Sequence, residues 1–303
     1  MKKLGIAVFS IFFAISAAIM LLILVSNDDS RIDSEYVVHE FEGEIEKREF
    51  KLDQFSTLCF IYDVDPLAAS GTKKTKMLGS APVLNIVNSE DYRVEITANS
   101  DMYDALSLEV YEDWTPESSA LFIAFKDEYY VPVYEYDTSY DYDLGMYIGF
   151  DQFEVTVYAP VSTLLVDGAV VLDYEAPKCN NMRVEFSYEG TKADIHGIDA
   201  LNLKLVCGGD SDIKLSGKVE GEADISIWHQ SKIDADELTA GSTDFYVSSS
   251  MLYGFSYIKY GATYHLQPYN NIFQMVVAAI VYLSPILWLG CLCVCIFHDK
   301  IRK

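Results

Sequence analysis

The sequence predicts an all-β fold, a stacked-β solenoid flanked by two transmembrane helices. Three observations lead to this prediction. Apolar and polar residues alternate with a period of two in many short segments, which is typical of strands with one buried face. In the second half of the chain such segments recur every 19 to 22 residues, which indicates a repeated structural unit. Near each end of the chain lies an apolar segment that is long enough to span a membrane.

The first element is the apolar segment at 4–25, which contains 22 consecutive uncharged residues. At about 1.5 Å per residue, this segment can cross the roughly 30 Å hydrocarbon core of a bilayer. A cleavable signal peptide is the alternative, because Lys2 and Lys3 precede the segment and small residues stand at 16–18. The apolar segment is longer than the usual core of a signal peptide and has no clear cleavage site. We therefore favour a retained signal anchor, a transmembrane helix, over residues 1–25.

The second apolar segment, at 272–297, is also long enough for a transmembrane helix, and the basic tail at 298–303 follows it. The positive-inside rule places Lys2, Lys3 and this tail on the cytoplasmic side. Both termini are then cytoplasmic. The protein is predicted to lie in the cytoplasmic membrane, with the bulk of the chain extracytoplasmic.

An acidic segment separates the first predicted span from the predicted domain. Residues 26–49 are rich in Asp, Glu and Ser and show little apolar periodicity, so we predict a juxtamembrane stalk there. Period-two segments begin near Phe50 and continue towards the second span. We therefore predict one extracytoplasmic, β-helix-like domain at 50–268.

Several strands are predicted in the first half of this domain. In each of them apolar residues occupy every second position, so that one face is buried and the other is polar. The alternating residues are Leu84 and Ile86; Val94 and Ile96; Leu106, Leu108 and Val110; Leu121, Ile123 and Phe125; and Val155 and Val157.

The second half of the domain contains a repeat of a strand, a turn and another strand. The segments at 182–186, 201–205, 223–227 and 243–247 align with one another. One such unit cannot bury its apolar face alone, whereas stacked copies bury a continuous column of side chains. This requirement favours a solenoid. A β-sandwich is the alternative, because short strands with regular turns are typical of that class as well.

The alternation within the repeat assigns each residue to the core or to the solvent. Lys, Asp and Ser occupy most of the positions that are predicted to be solvated. We expect Leu205, Ile227 and Val247 to lie in line along the stack. The residues predicted to face the core are Leu203, Leu205, Ile213, Leu215, Ile225, Ile227, Ile233, Ala235, Phe245 and Val247.

Two stretches of sequence carry a family resemblance. They are FEVTVYAPVSTLLVDGAVVLD at 153–173 and LNLKLVCGGDSDIKLSGKVEGEADISIWHQSKIDADELTA at 201–240. Both resemble the bacterial family called the putative auto-transporter adhesin head, or GIN domain, and related bacterial adhesin domains. The usual small-residue turn is replaced at 207–210 and at 228–230. The resemblance covers roughly 50–265 and implies a right-handed stacked-β fold at a bacterial cell surface, but it does not establish an activity.

The charge of the chain restricts its partners. With 46 acidic and 22 basic residues, the formal net charge is −24. Electrostatic repulsion therefore disfavours nucleic acid and anionic lipid headgroups. Cations, basic proteins and neutral polymers stay open as partners. An alternative explanation is that the charge keeps an exposed β-domain soluble and prevents pairing between sheet edges.

The most distinctive local feature is the tyrosine-rich segment at 127–150. In an extended conformation it would carry tyrosines on one side and acidic residues on the other. Exposed tyrosines could stack on sugar rings or contact a protein partner, whereas tyrosines that cover the β-core would have a structural role. The candidate binding residues are Tyr130, Tyr134, Tyr136, Tyr140 and Tyr142.

The sequence predicts no catalytic residue, no metal site and no cofactor. It contains no G-x-S-x-G, HExxH, GxxxxGK[ST] or CxxC motif. The histidines between the apolar segments stand singly, without a second ligand at zinc spacing. Of the cysteines, Cys59, Cys179 and Cys207 lie in the predicted domain, so at most one disulfide can form within it.

These observations favour a membrane-anchored, extracytoplasmic adhesin, that is, a binding or scaffold domain that is not an enzyme. Besides the membrane itself, the expected partner is a cell-wall glycan or a protein of the envelope. The alternative function is an accessory sensor of the state of the cell envelope. Because the predicted cytoplasmic ends are too short to hold a signalling domain, such a sensor would act through a membrane partner.

Overall fold

A computed structural model describes the central part of the chain. All described residues belong to one compact unit, Ser34–Gln267. The predicted membrane spans at 4–25 and 272–297 lie outside the described residues. Among the described residues, no helix has both the length and the apolar character that crossing a membrane requires. The described residues are 38–60, 73–78, 80–115, 118–126, 129, 131–133, 143–187, 190–228, 230–248 and 256–266.

The regular structure of the described part of the chain consists mostly of strands, which confirms the all-β prediction. The 3₁₀ helix Ser100–Asp104 lies between β6 and β7. The strands predicted in the first half of the domain correspond to β5, β6, β7, β8 and β11. The strands are β1 (Val38–Phe41), β2 (Ile45–Lys51), β3 (Thr57–Phe60), β4 (Lys73–Leu78), β5 (Val83–Val87), β6 (Arg93–Asn99), β7 (Leu106–Thr115), β8 (Ser118–Phe125), β9 (Val131–Val133), β10 (Asp143–Phe150), β11 (Phe153–Tyr158), β12 (Thr163–Val166), β13 (Val171–Glu175), β14 (Lys178–Phe186), β15 (Lys192–Cys207), β16 (Asp212–Ile227), β17 (Lys232–Val247), β18 (Tyr257–Tyr260) and β19 (Thr263–His265).

The strands form a small sheet and a large, curled sheet. In the small sheet, β10 pairs in parallel with β1 and β4 and antiparallel with β9. The large sheet has 15 strands, in the order β2-β6-β11-β5-β13-β15-β14-β12-β3-β8-β7, and β16 to β19 extend it from β15. The first half of β15 pairs with β13 and its second half with β14. The first branch contains β2, β6, β11, β5, β13, the first halves of β15 to β17, and β18 with β19. The second branch contains β7, β8, β3, β12, β14 and the second halves of β15 to β17. Because the long strands serve both branches, the sheet curls around a shared core.

The three long strands β15, β16 and β17 have 16 residues each and pair in parallel. Shifts in register divide β15 into two halves, between Ile195 and Ile198 and again between Ala200 and Leu203. Similar shifts divide β16 where it pairs with β17. In both halves the buried side chains belong to one hydrophobic cluster.

Columns of aligned side chains build this core. Leu205, Ile225 and Phe245 are partners in successive strands. The prediction that Leu205 lies in line with Ile227 and Val247 was wrong, because the partner of Ile227 in β15 is Cys207. The pairing of Ile227 with Val247 is confirmed. A displacement of two residues leaves the period-two pattern unchanged, so the alternation alone cannot detect the error in register.

The prediction of a stalk at 26–49 was wrong for its second part, which forms strands. Val38–Phe41 forms β1, and β2 begins at Ile45. Except for Phe50, which is half-buried, every side chain of β2 is exposed. This strand is held by its antiparallel pairing with β6 rather than by burial, so its sequence lacks the apolar pattern by which a strand is recognised.

Gly217 lies at the bend between the two halves of β16. Its φ of +132° is unfavourable for any residue with a side chain. A Cβ atom there would also overlap the backbone of Ile198 in β15 and would lie 2.8 Å from the Ile198 Cα. Gly197, at the corresponding bend of β15, has a φ of +69°, but a Cβ atom there would meet no heavy atom within 4 Å.

Buried hydroxyl side chains precede successive strands of the first branch. Thr191, Ser211 and Ser231 stand directly before β15, β16 and β17, and all three are buried. The Ser231 hydroxyl lies within hydrogen-bonding distance of two carbonyl oxygens, 2.7 Å from that of Trp228 and close to that of Gly209. The Ser211 hydroxyl has no partner of standard geometry among the described residues; its interaction with the Cys207 thiol is a weak one.

We expect Gly217→Ala to destabilise the fold more than Gly197→Ala. The control is Gly197→Ala, which should lower the free energy of unfolding by about 1–2 kcal/mol, the cost of a side chain at a positive φ. Gly217→Ala adds steric overlap with Ile198 and should lower the free energy of unfolding by about 3 kcal/mol or more. Urea denaturation of the purified full-length protein measures both. Equal losses would contradict the close packing of β16 against β15.

We expect Ser231→Ala to lower the free energy of unfolding by about 1–2 kcal/mol, because it removes a buried hydrogen bond to a carbonyl. Ser211 stands at the same place one strand earlier, and Ser211→Ala removes a hydroxyl without a good partner. This change should leave the free energy of unfolding the same or raise it by up to about 1 kcal/mol. Thermal and urea unfolding of the two variants provide the comparison, and a larger loss for Ser211→Ala would refute this assignment.

Candidate functional site

The five tyrosines predicted as a binding ribbon, Tyr130, Tyr134, Tyr136, Tyr140 and Tyr142, lie outside the described residues. Strands β9 and β10, which flank most of them in the sequence, pair antiparallel. Tyr129, directly before the ribbon, is described, and its ring contacts that of His39 edge-on with 5.2 Å between the centroids. The role of the ribbon stays a prediction.

The outward residues of the first branch of the large sheet form a polar row. In-register pairing aligns one residue from each of six adjacent strands, at the spacing of about 4.8 Å between neighbouring strands. Lys214 Nζ contacts Glu237 at 3.2 Å, and Lys259 forms ion pairs with Asp236 and, at 3.7 Å, with Asp234. The members of this row, called the polar row, are Asn85, Asp173, Asp194, Lys214, Asp234 and Lys259.

An aromatic pair lies next to the polar row, at the end of the first branch. Tyr257 of β18 and Tyr264 of β19 contact each other edge-on, with 5.4 Å between the ring centroids. Tyr264 is 57% exposed. It is the antiparallel partner of Lys259, so the exposed ring stands beside the last member of the polar row.

A second aromatic pair lies at the end of the other branch. Trp228 directly follows β16, and Tyr246 lies near the end of β17. Their ring centroids are 5.9 Å apart, and the rings are tilted by 53°. Tyr246 is 53% exposed and faces outward, because its neighbour Val247 is buried. Rigid aromatic side chains lose little conformational entropy on binding, so both pairs are suited to contact with a ligand.

A network of charged side chains covers the outer face of β6. Glu95 lies 2.8 Å from Lys47 Nζ and also contacts Arg93. The hydrogen bond from Lys47, together with that from Arg93, lowers the pKa of Glu95 below its ordinary value. The Arg93 guanidinium stacks on Tyr158, 3.6 Å from the ring centroid. Glu95 is therefore ionised at neutral pH and serves as an ion-pair partner. A general acid must carry a proton, so Glu95 is not suited to that role.

The described cysteines are not suited to nucleophilic chemistry. Cys59, Cys179 and Cys207 are all free thiols. Burial raises the pKa of Cys59 to about 12 and also raises the pKa values of Cys179 and Cys207. Each thiol therefore stays protonated at neutral pH, whereas the thiolate is the reactive form.

No metal site is found in the described ranges, since they contain no group of three or more His, Cys, Asp or Glu side chains that could hold an ion. The structure thus brings together polar and aromatic side chains on outer surfaces. It offers a surface for binding, and no described cluster of reactive groups.

The sequence predicts neither aromatic pair. It identifies Trp228 only as part of an unusual turn, and it assigns no role to Tyr246 or Tyr264. A signal exists for the first pair, because Tyr246 follows Trp228 by 18 positions, which is close to the repeat length. Residues one repeat apart lie in neighbouring strands of a stack, so an aromatic residue in each predicts a contact.

Comparison with known proteins gives structural similarity at low sequence identity. A crystal structure of a putative adhesin from Bacteroides fragilis has a TM-score of 0.45 and 13% identity, and the match covers 73% of this chain and 81% of that one. A putative adhesin from Parabacteroides distasonis has a TM-score of 0.40 and 14% identity, over 69% and 80% of the two chains. A putative lipid binding protein from the same species has a TM-score of 0.40 and 15% identity, with the same coverage.

Comparison with curated proteins finds no match. The family resemblance seen in the sequence is confirmed, because a family model matches residues 78–251, which is more than half of the chain. The family is described as "Putative auto-transporter adhesin, head GIN domain". This chain therefore belongs to the family of putative auto-transporter adhesins with a head GIN domain.

Proposed function

We propose that this protein is a membrane-anchored, non-enzymatic adhesin whose extracytoplasmic domain binds a cell-wall glycan. The observation that carries the proposal is the contact of the half-buried Trp228 with the exposed Tyr246, on the outer face of regularly paired strands. A partly exposed aromatic pair on a rigid sheet offers an apolar platform with polar edges, which is suited to a sugar ring. The polar row and the Tyr257–Tyr264 pair add hydrogen-bonding groups and a second platform.

The proposal includes a solenoid for the second half of the domain. Strands β15, β16 and β17 are treated as successive coils, since each pairs in parallel with the next and repeats the same two halves. The family resemblance implies a right-handed coil. A stack of this kind repeats its outer surface at a regular spacing, which suits a partner that is itself a repeating polymer.

Membrane anchoring is supported by the two apolar segments and their basic flanks. The glycan is favoured over nucleic acid and over an anionic lipid surface because the chain carries a net charge of −24. A non-enzymatic role is supported by the protonated thiols and the ion-paired Glu95 among the described residues.

We expect an external protease to digest the domain in spheroplasts while epitope tags at both termini stay protected. This pattern follows from two membrane-spanning segments with cytoplasmic ends. Immunoblotting of the two tags makes the measurement, with permeabilised cells as the control. Loss of the N-terminal tag before protease treatment would show that residues 1–25 are cleaved as a signal peptide.

We expect Trp228→Ala and Tyr246→Ala each to weaken binding to isolated cell-wall glycan by roughly tenfold, because each removes half of the aromatic platform. Co-sedimentation of the detergent-solubilised full-length protein with wall fragments measures the affinity. Tyr111→Ala is the matched control, since Tyr111 is a 46% exposed tyrosine on β7, in the other part of the sheet.

Two results would contradict the proposal: no binding by the unmodified protein, or equal binding by all three variants. If the protein binds no glycan but co-purifies stoichiometrically with another membrane protein, the sensor of the cell envelope becomes the better assignment.

A further inference from the structure

Within the part of the chain that the structure describes, the second half of β17 is an open sheet edge. Among the described strands, only β16 pairs with residues 239–247, because β18 pairs with the first half of β17 at 232–234. Most side chains of this segment are exposed, including those of Thr239, Ser242 and Asp244. We call residues 239–246 the β17 edge.

The β17 edge exposes positions that are buried in the preceding strands. Thr243 is exposed, although its aligned residues Leu203 and Ala223 are buried. Phe245 is half-buried, although Leu205 and Ile225 are fully buried. The column of core side chains therefore reaches the surface at this edge.

Side chains from the last hairpin cover part of this end of the core. The Phe245 ring contacts Tyr260 and His265 edge-on, with centroids 5.5 and 4.8 Å apart. The Tyr260 hydroxyl accepts a hydrogen bond from the Ala240 N–H at 3.2 Å. These contacts involve Ala240 and the side chain of Phe245. Among the described residues, no strand pairs with the open side of residues 241–246.

The direction of the backbone groups can be derived from the pairing with β16. Ser248 donates its N–H to the Ile227 carbonyl of β16 at 2.9 Å. The register is regular from Ser242 to Val247, and successive residues of a strand direct their N–H groups to opposite sides. The N–H groups of Thr243 and Phe245 therefore point to the open side.

The β17 edge differs from the edge at β2 in its charge. Five of the seven residues of β2 are charged, and such charges prevent a sheet edge from pairing with another molecule. The β17 edge has the sequence TAGSTDFY, in which Asp244 is the only charged residue. In a chain with a net charge of −24, this edge lacks the protection that β2 has.

We propose that the β17 edge pairs antiparallel with the same edge of a second copy of this chain, around a two-fold axis at Thr243. A two-fold axis makes the interface isologous, so that one self-complementary segment is sufficient. The two Thr243 residues then form a hydrogen-bonded pair through the N–H and carbonyl groups that point outward. This interface goes beyond the proposed glycan binding and does not depend on it.

The side chains of the edge favour this register. Asp244 lies opposite Ser242 of the second copy, where the hydroxyl can donate to the carboxylate. Phe245 lies opposite Gly241, and an aromatic side chain that covers a glycine is a favourable cross-strand pair. No two like charges are opposite each other. This self-complementarity favours a second copy as the occupant of the edge.

Substitution of Thr243 tests the two-fold axis directly. The full-length protein in detergent is expected to sediment as a concentration-dependent dimer. Thr243→Lys and Thr243→Glu should each sediment as a monomer, because each places two like charges opposite one another. An equimolar mixture of the two variants should restore the dimer, since Lys then faces Glu. Ser226→Lys on the neighbouring strand β16 is the control and should not change the dimer.

Disulfide formation tests the register. The two Thr243 Cα atoms should lie about 5.5 Å apart, within the range that a disulfide requires. Thr243→Cys should therefore form a cross-linked dimer on mild oxidation, above the level of the unmodified protein. Thr239→Cys is the control, because its two copies would lie about 25 Å apart along the paired strands.

Four outcomes would overturn the proposal. They are a monomer at all concentrations, a dimer that survives both charge variants, a mixture that fails to restore the dimer, and equal cross-linking through Cys at positions 239 and 243. Circular dichroism of each variant verifies the fold. If a charge variant misfolds, the cross-linking of Thr243→Cys compared with that of Thr239→Cys decides the test.

Discussion

Parallel, in-register pairing of strands twenty residues apart is the constraint on which the rest of the structure depends. Lys192, Asp212 and Lys232 begin three successive strands and are aligned partners. The pairing converts a repeat in the sequence into columns of side chains in space. Inward columns such as Leu205, Ile225 and Phe245 form the core, and burial of these columns is the main source of stability.

The same pairing builds the outer surface. Because the backbone hydrogen bonds and the core fix the position of every strand, outward side chains acquire fixed positions without packing of their own. The polar row and the two aromatic pairs arise in this way from residues that are distant in the sequence. A surface organised by the core can change its side chains with little cost in stability.

A stack of strands has ends, and each end must be protected. At one end of the large sheet, β2 carries charged side chains and gains little from burial. At the β17 edge, Tyr260 and His265 cover Phe245, but no described strand pairs with the open side beyond Ala240. Charged side chains thus protect the edge at β2, whereas aromatic side chains protect the β17 edge. The aromatic side chains cover only part of the β17 edge.

The sequence by itself determined the all-β class, the inward and outward positions of the repeat, and the family, because alternation and turn patterns are local properties. It placed Ile227 and Val247 in line correctly. Only the tertiary structure decided that Cys207, and not Leu205, joins them, because the shift in register between Ala200 and Leu203 leaves the alternation intact. The strand β2 was also decided there, since its pairing with the distant strand β6 fixes it and no local pattern records that pairing.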